Sequence, residues 1–244
     1  MIIDTHSHLN FSAYKNDLDE VIKRTLDNGI FAINVGSKYD TSKEAIRIAE
    51  NYKGMHAAVG LHPLHCADET FDKERYRELA EKAVAIGEIG LDYKTDLYRE
   101  KQKEVFIEQL DLAKELDLPV IIHSRMAHGD LIEILKGRDA KGVIHCFTGS
   151  INELKQYLNL GFYIGLNGII FKMDLKEAIK NCPLESMLVE TDCPYLTPPQ
   201  KGDKRNEPLF ITHIIDKIAE IKGISFDEVA DKTAENAKEL FKLF

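Results

Sequence analysis

Residues 119–123 read PVIIH. A proline opens the run, three β-branched residues carry it, and a histidine ends it. A short unbroken apolar run describes a strand buried on both faces, as parallel strands are. Just upstream, residues 103–116 place Phe106, Leu110, Ala113 and Leu116 along one side of a helix, with charges elsewhere. A helix feeding a buried strand is part of a βαβ unit. The pairing recurs. Apolar runs at 1–5, 31–35, 57–60, 85–89, 119–122, 142–144, 162–166 and 187–191 are each followed by a helical stretch. Residues 17–28 start acidic and stop at Gly29, and 207–222 and 225–243 are further helices. Ser225 with Glu228 reads as a capping box. Eight such units in 244 residues predict a single α/β domain over 1–244, closed as a (β/α)8 TIM-type barrel. A doubly wound open sheet is the competing arrangement, and eight units favour closure. The stretch LTPPQKGDKRNEP (196–208) reads as a long loop after the eighth strand.

Composition removes several function classes. With 30% charged residues and no apolar run of about 18, no membrane span is expected. The N-terminus lacks the basic and apolar regions of a signal peptide. The four cysteines, Cys66, Cys146, Cys182 and Cys193, form no CxxC, which suits reduced thiols in the cytoplasm. A net charge of −9 argues against broad binding along duplex nucleic acid. It leaves room for a nucleic-acid enzyme whose bound cations reverse the local sign. No nucleophile elbow, P-loop or dinucleotide fingerprint is present.

The strand ends carry the chemistry. The first run leads into His6 and His8, the fourth into Glu88, the fifth into His123, the sixth into His145 and the eighth into Asp192. In a barrel these ends converge on one mouth. His6 and His8 are two apart, so a strand sends both to the same side. Glu88 lies between Gly87 and Gly90, and a carboxylate bridges two cations where an imidazole does not. Asp192 is positioned to accept a proton from an attacking water. Glu190 shares its face, one layer deeper in the barrel interior.

The substrate side is less determined. His62, in GLHP, faces the mouth as a substrate contact or as a partner of a metal ligand. Arg125 has the fork that suits phosphate. Thr148, Gly149 and Ser150 read as a helix cap or an anion site. Cys146 and Cys193 follow ligand positions and are expected to point away into packing. His56, His65, His128 and His213 read as structural or exposed. Phe11, Tyr93 and Tyr195 are candidates for stacking or for local packing.

In order along the chain, DTHSHLN, GLHP, GEIGLDY, VIIHSR, HCFTGS and ETDCPYLTP…RNEP resemble the successive motifs of the TatD-related metal-dependent deoxyribonucleases, within the wider amidohydrolase group of barrels. The resemblance spans the chain. It implies two divalent cations, one held by His6, His8, Glu88 and Asp192, the other by Glu88, His123 and His145. It also implies Mg²⁺-dependent hydrolysis of ester bonds, exonuclease action on DNA, and a mouth shaped by Arg205, Asn206 and Glu207. Some relatives in this group deacylate misacylated tRNA. The imidazoles themselves favour Zn²⁺, Mn²⁺, Fe²⁺ or Ni²⁺.

The expectation is therefore a two-metal deoxyribonuclease, catalysed by Asp192 and Glu88, acting on single strands or ends. Arg125, Lys201, Lys204 and Arg205 would meet the phosphates. A carboxylic-ester or amide hydrolase on the same site and a non-catalytic metal-bound barrel are the alternatives. The sequence leaves oligomeric state open, with a monomer as the default.

Overall fold

The computed structural model describes residues 1–94 and 98–243. Its strands are β1 (Ile2–Ser7), β2 (Ile30–Val35), β3 (Met55–Val59), β4 (Ala85–Asp92), β5 (Val120–Arg125), β6 (Gly142–Ile144), β7 (Tyr163–Leu166) and β8 (Met187–Val189). They pair in parallel, in chain order. β8 returns to β1 through a parallel bridge between Ser7 and Cys193. There His8 N–H donates to the Cys193 carbonyl at 2.9 Å, and Asp192 N–H donates to the His6 carbonyl at 2.8 Å. The barrel thus closes at its C-terminal rim. The closing bonds hold His6, His8 and Asp192 side by side.

The helices are α1 (Leu18–Asp27), α2 (Tyr39–Asn51), α3 (Lys73–Ala80), α4 (Arg99–Glu115), α5 (His128–Leu135), α6 (Ile151–Asn159), α7 (Lys176–Asn181), α8 (Ile211–Lys222) and α9 (Phe226–Phe241). The helix expected over 207–222 begins only at Ile211. Glu207 is extended and Pro208 starts a short 3-10 turn, because proline supplies no N–H to a continuing ladder. Ser225 caps α9 with Glu228 as expected.

Inside the barrel, Ile3, Ile33, Ala58, Ala85, Ile121, Val143 and Leu188 form one buried cluster, one from each of seven strands. Tyr163 of β7 packs against it. α9 adds Ala234, Ala237, Leu240 and Phe241, plugging the barrel from the end opposite the mouth. Period-two alternation carries this inner face upward. Ile121 leads to His123, Val143 to His145 and Leu188 to Glu190, whereas Asp192 lies beyond β8 with a left-handed φ of 54° and is placed by its N–H bond to the His6 carbonyl. β1 and β4 break the alternation. Their pairing slips between Asp4 and Ser7 and between Ile86 and Ile89, where His6 and Glu88 lie. Such irregularities re-aim side chains beside functional sites.

Candidate metal centre

Glu88 lies at the centre, almost fully buried. Its two oxygens face different partners. Oε2 is 3.5 Å from His6 Nε2 and 3.7 Å from His8 Nε2. Oε1 is 3.0 Å from His123 Nδ1, 3.6 Å from His145 Nε2 and 3.4 Å from His62 Nε2. Asp192 Oδ1 completes the first group, 3.5 Å from His8 Nε2 and 3.9 Å from His6 Nε2. One carboxylate therefore borders two separate sets of donors. His6, His8, Glu88, His123, His145 and Asp192, expected together from the strand ends, do converge.

Three of the rings are held from behind. His8 Nδ1–H donates to the Val35 carbonyl at 2.8 Å. His145 Nδ1 faces Glu190 Oε1 at 2.8 Å, and His123 Nε2 faces Asp92 Oδ2 at 3.0 Å. Glu190 is fully buried and also accepts from the Cys146 N–H and from Asn167 Nδ2. These outer partners fix ring orientation and raise ligand basicity.

The donor set fits divalent cations. His6 Nε2 and His8 Nε2 approach to 3.1 Å, and the Val35 bond leaves His8 Nε2 without a hydrogen in the neutral ring. Two nitrogen donors that close are best satisfied by a shared cation. His6 Nδ1 is buried with no hydrogen-bond partner. His6, His8 and Asp192 present donor atoms within 4.8 Å of one another.

Electrostatics agree. Burial pushes Glu88 up, but His62, His123 and His6 outweigh it and hold the carboxyl well below its ordinary range. Burial likewise opposes ionisation of Asp192, and His8, His145 and His6 overcome it. Burial lowers His145, yet Glu190 raises it further, to about 10. His123 is raised against burial by Asp92 and Glu88. The carboxylates demand positive charge, and without metal the imidazoliums supply it.

Other expected residues fall into two groups. Arg125 is exposed at the end of β5. Arg205 is instead turned onto Asp17, with contacts of 2.9 and 2.6 Å, and covers the Tyr14 ring at 4.1 Å. Glu207 grips Arg24, and Asn206 Nδ2 donates to the Thr191 carbonyl. These three tie the long loop to α1 and to the strand end, a scaffold role that pairings nearly two hundred residues apart kept out of view. Lys201 sits over the Phe210 ring. Phe11 stacks on His8 with centroids 4.3 Å apart, and Tyr93 is buried with its hydroxyl donating to Asp130. Ser150 is a plain helix cap, in a box with Glu153.

Cys146 departs from its expected packing role. β6 ends at Ile144, and Cys146 adopts a left-handed φ of 46°. Alternation no longer governs it, and its sulfur lies within 4.8 Å of donor atoms of His145 and Asp192. Cys193 does pack, beside Leu9 and Tyr14. Asp92 and the Glu190–His145 contact were not anticipated. The signal for Asp92 was its place in GEIGLDY, at the end of the strand that carries Glu88.

A parallel barrel whose mouth gathers imidazoles and carboxylates around one central glutamate has the site of a metal-dependent hydrolase. The profile of the TatD-related DNases matches residues 3–242, and the chain belongs to that family. It is 42% identical, over all of both chains, to YabD of Bacillus subtilis, named an uncharacterized metal-dependent hydrolase. It is 36% identical to the 3'-5' ssDNA/RNA exonuclease TatD of Pantoea vagans, covering 99% of this chain and 100% of that one. Among solved structures, the TatD homologue YJJV of Escherichia coli superposes with a TM-score of 0.93 at 32% identity, covering 100% of this chain and 98% of that one.

Proposed function

We propose that this barrel, acting as one domain over 1–244, is a two-metal phosphodiesterase that removes nucleotides from ends of single-stranded nucleic acid. The observation that carries the reading is the division of Glu88, Oε2 toward His6 and His8 and Oε1 toward His123 and His145. Two cations in these sets would acidify a water and clamp the oxygens of the scissile group. His6, His8, Glu88 and Asp192 would hold one, and Glu88, His123 and His145 the other. Asp192, whose side chain keeps 15% exposure, orients the attacking water and takes its proton. Mg²⁺ is the proposed working ion, as the resemblance implies, although the imidazoles favour softer ions.

The rim supports a nucleic-acid strand. Among the described residues, the exposed large apolar side chains are Met1, Leu64, Tyr98, Met126, Met173 and Tyr195. All but Met1 lie on loops that follow strand C-termini. Unpaired bases stack on aromatic rings such as Tyr98 and Tyr195 and pack against the apolar side chains beside them, and a duplex hides its bases. Arg125, Lys94 and Lys204 are exposed on the same loops and suit a phosphate backbone. Four free cysteines suit the cytoplasm, and no described helix is long and apolar enough to cross a membrane.

The test compares metal-dependent cleavage of single-stranded DNA labelled at its 3′ or 5′ end with that of duplex DNA and an aminoacyl ester. Stepwise release from single strands supports the reading. Cleavage of the carboxylic ester alone would replace it with an acyl-ester hydrolase.

A further inference from the structure

We infer that His62 is a hydrogen-bond donor to an anionic oxygen of the substrate and not a metal ligand, an assignment that rests on the phosphodiesterase reading for its substrate. Four of the rings around Glu88 have a hydrogen bond that fixes their polarity, and His62 differs from the other three; His6 has no partner at Nδ1. His8, His145 and His123 each turn one nitrogen outward to an oxygen that only accepts: the Val35 carbonyl, Glu190 and Asp92. The outward nitrogen therefore carries the hydrogen. In the neutral ring, the form that binds metal, the inward nitrogen of each keeps a lone pair, which is what a cation needs.

His62 is wired in reverse. Its Nδ1 accepts from the Leu64 backbone N–H at 3.1 Å. A ring nitrogen that accepts carries no hydrogen, so the hydrogen sits on Nε2. Nε2 is the atom that faces the cluster, 3.4 Å from Glu88 Oε1. An N–H has no lone pair to give, so the proximity of His62, Glu88 and His123 donor atoms is not a third ligand set.

The local sequence enforces this polarity. His62 caps the 3-10 turn Pro63–His65. Pro63 has no N–H, so the first free donor of the turn belongs to Leu64 and points back at the ring. The side chain keeps 10% exposure, and its ring lies 4.5 Å from that of His123. Glu88 Oε1 is already approached more closely by His123, at 3.0 Å. The 3.4 Å separation from His62 exceeds good hydrogen-bond length. The Nε2–H is thus oriented, nearly dry and poorly satisfied within the protein. A fixed donor of that kind stabilises charge that develops on a phosphoryl oxygen.

The first test is the ring tautomer. In ¹⁵N-labelled protein loaded with Mg²⁺ or Zn²⁺, long-range proton–nitrogen correlation of His62 should show a protonated Nε2 and an accepting Nδ1. An unprotonated, metal-shifted Nε2 would overturn the inference. The second test compares His62→Leu with His62→Gln, whose amide keeps a donor. Both should bind Mn²⁺ as the wild type does. His62→Leu should lose affinity of the loaded protein for inorganic phosphate by about tenfold or more, and His62→Gln should retain most of it. Turnover of His62→Leu should fall by about 10²–10³-fold with little change in KM, and that of His62→Gln should fall much less. Loss of Mn²⁺ binding in both variants, or unchanged phosphate affinity in His62→Leu, would sink the donor role. Tautomer, metal affinity and phosphate affinity need no turnover. A wild type that cleaves no DNA would overturn the phosphodiesterase reading, and these three readouts would still decide His62.

Discussion

Glu190 Oε1 accepts from His145 Nδ1 at 2.8 Å, beneath the ring whose other nitrogen faces Glu88. The same oxygen holds the Cys146 N–H and Asn167 Nδ2. One buried carboxylate therefore sets the tautomer of a proposed metal ligand and anchors the turn after β6. Replacing it with Gln keeps the shape and removes the charge. Glu190→Gln should weaken metal binding by about 10–100-fold, read by Mn²⁺ titration, with turnover largely restored at saturating metal.

Asp192 is assigned both to one cation and to the attacking water. Asp192→Asn retains a ligating oxygen and loses the base. Turnover should fall by about 10²–10⁴-fold, while metal content by elemental analysis stays above half that of the wild type. Full turnover with metal bound would remove Asp192 from proton transfer.

Metal loading should release protons. Against burial, Glu190 and Glu88 hold His145 at about 10, so its ring is charged at neutral pH before metal arrives, and Asp92 and Glu88 raise His123 in the same direction. Ligation needs the neutral ring. Raised values mean protons that leave only at higher pH, so apparent affinity should keep climbing above neutrality instead of levelling near about 6.5. Calorimetry in buffers of different ionisation enthalpy measures the proton count directly.

The two arginines near the mouth should separate cleanly. Arg125→Ala should raise KM for single-stranded DNA and flatten its dependence on log salt by about 0.7, the contribution of one phosphate contact. Arg205→Ala breaks the bidentate pair with Asp17 and uncovers Tyr14. It should lower thermal stability and leave the salt slope unchanged.

The plug at the far end is independent of the chemistry. Phe241 is buried with Ile121, Val143 and Leu188. Phe241→Ala should cost about 3–5 kcal/mol of unfolding free energy by denaturant titration, with metal stoichiometry intact in the folded protein.

The convergence of the strand-end residues was legible because a buried parallel strand advertises itself as an apolar run, and a polar residue at its end has one place to go. PVIIH and GVIH carry that signal directly. Period two also placed Glu190 in the barrel interior, although its contact with His145 reaches past β7, from the end of β8 to the end of β6. The pairings of Arg205 and Glu207 were not legible, because a basic or acidic side chain in a loop says nothing of partners such as Asp17, just before α1, and Arg24 on it. Cys146 misled because alternation was carried past the end of β6 into a left-handed turn. The polarity of His62 depends on a backbone N–H two residues on, which the motif GLHP contains only implicitly.

The decisive experiment is nucleotide release from 3′-labelled single-stranded DNA by wild type and Glu88→Ala, each assayed with Mg²⁺, Mn²⁺ and Zn²⁺. If Glu88 joins two cations for phosphodiester cleavage, the wild type releases nucleotides only with metal, and Glu88→Ala releases essentially none with any of the three. Release that survives Glu88→Ala, or no release by a wild type shown to hold two metals, would contradict it.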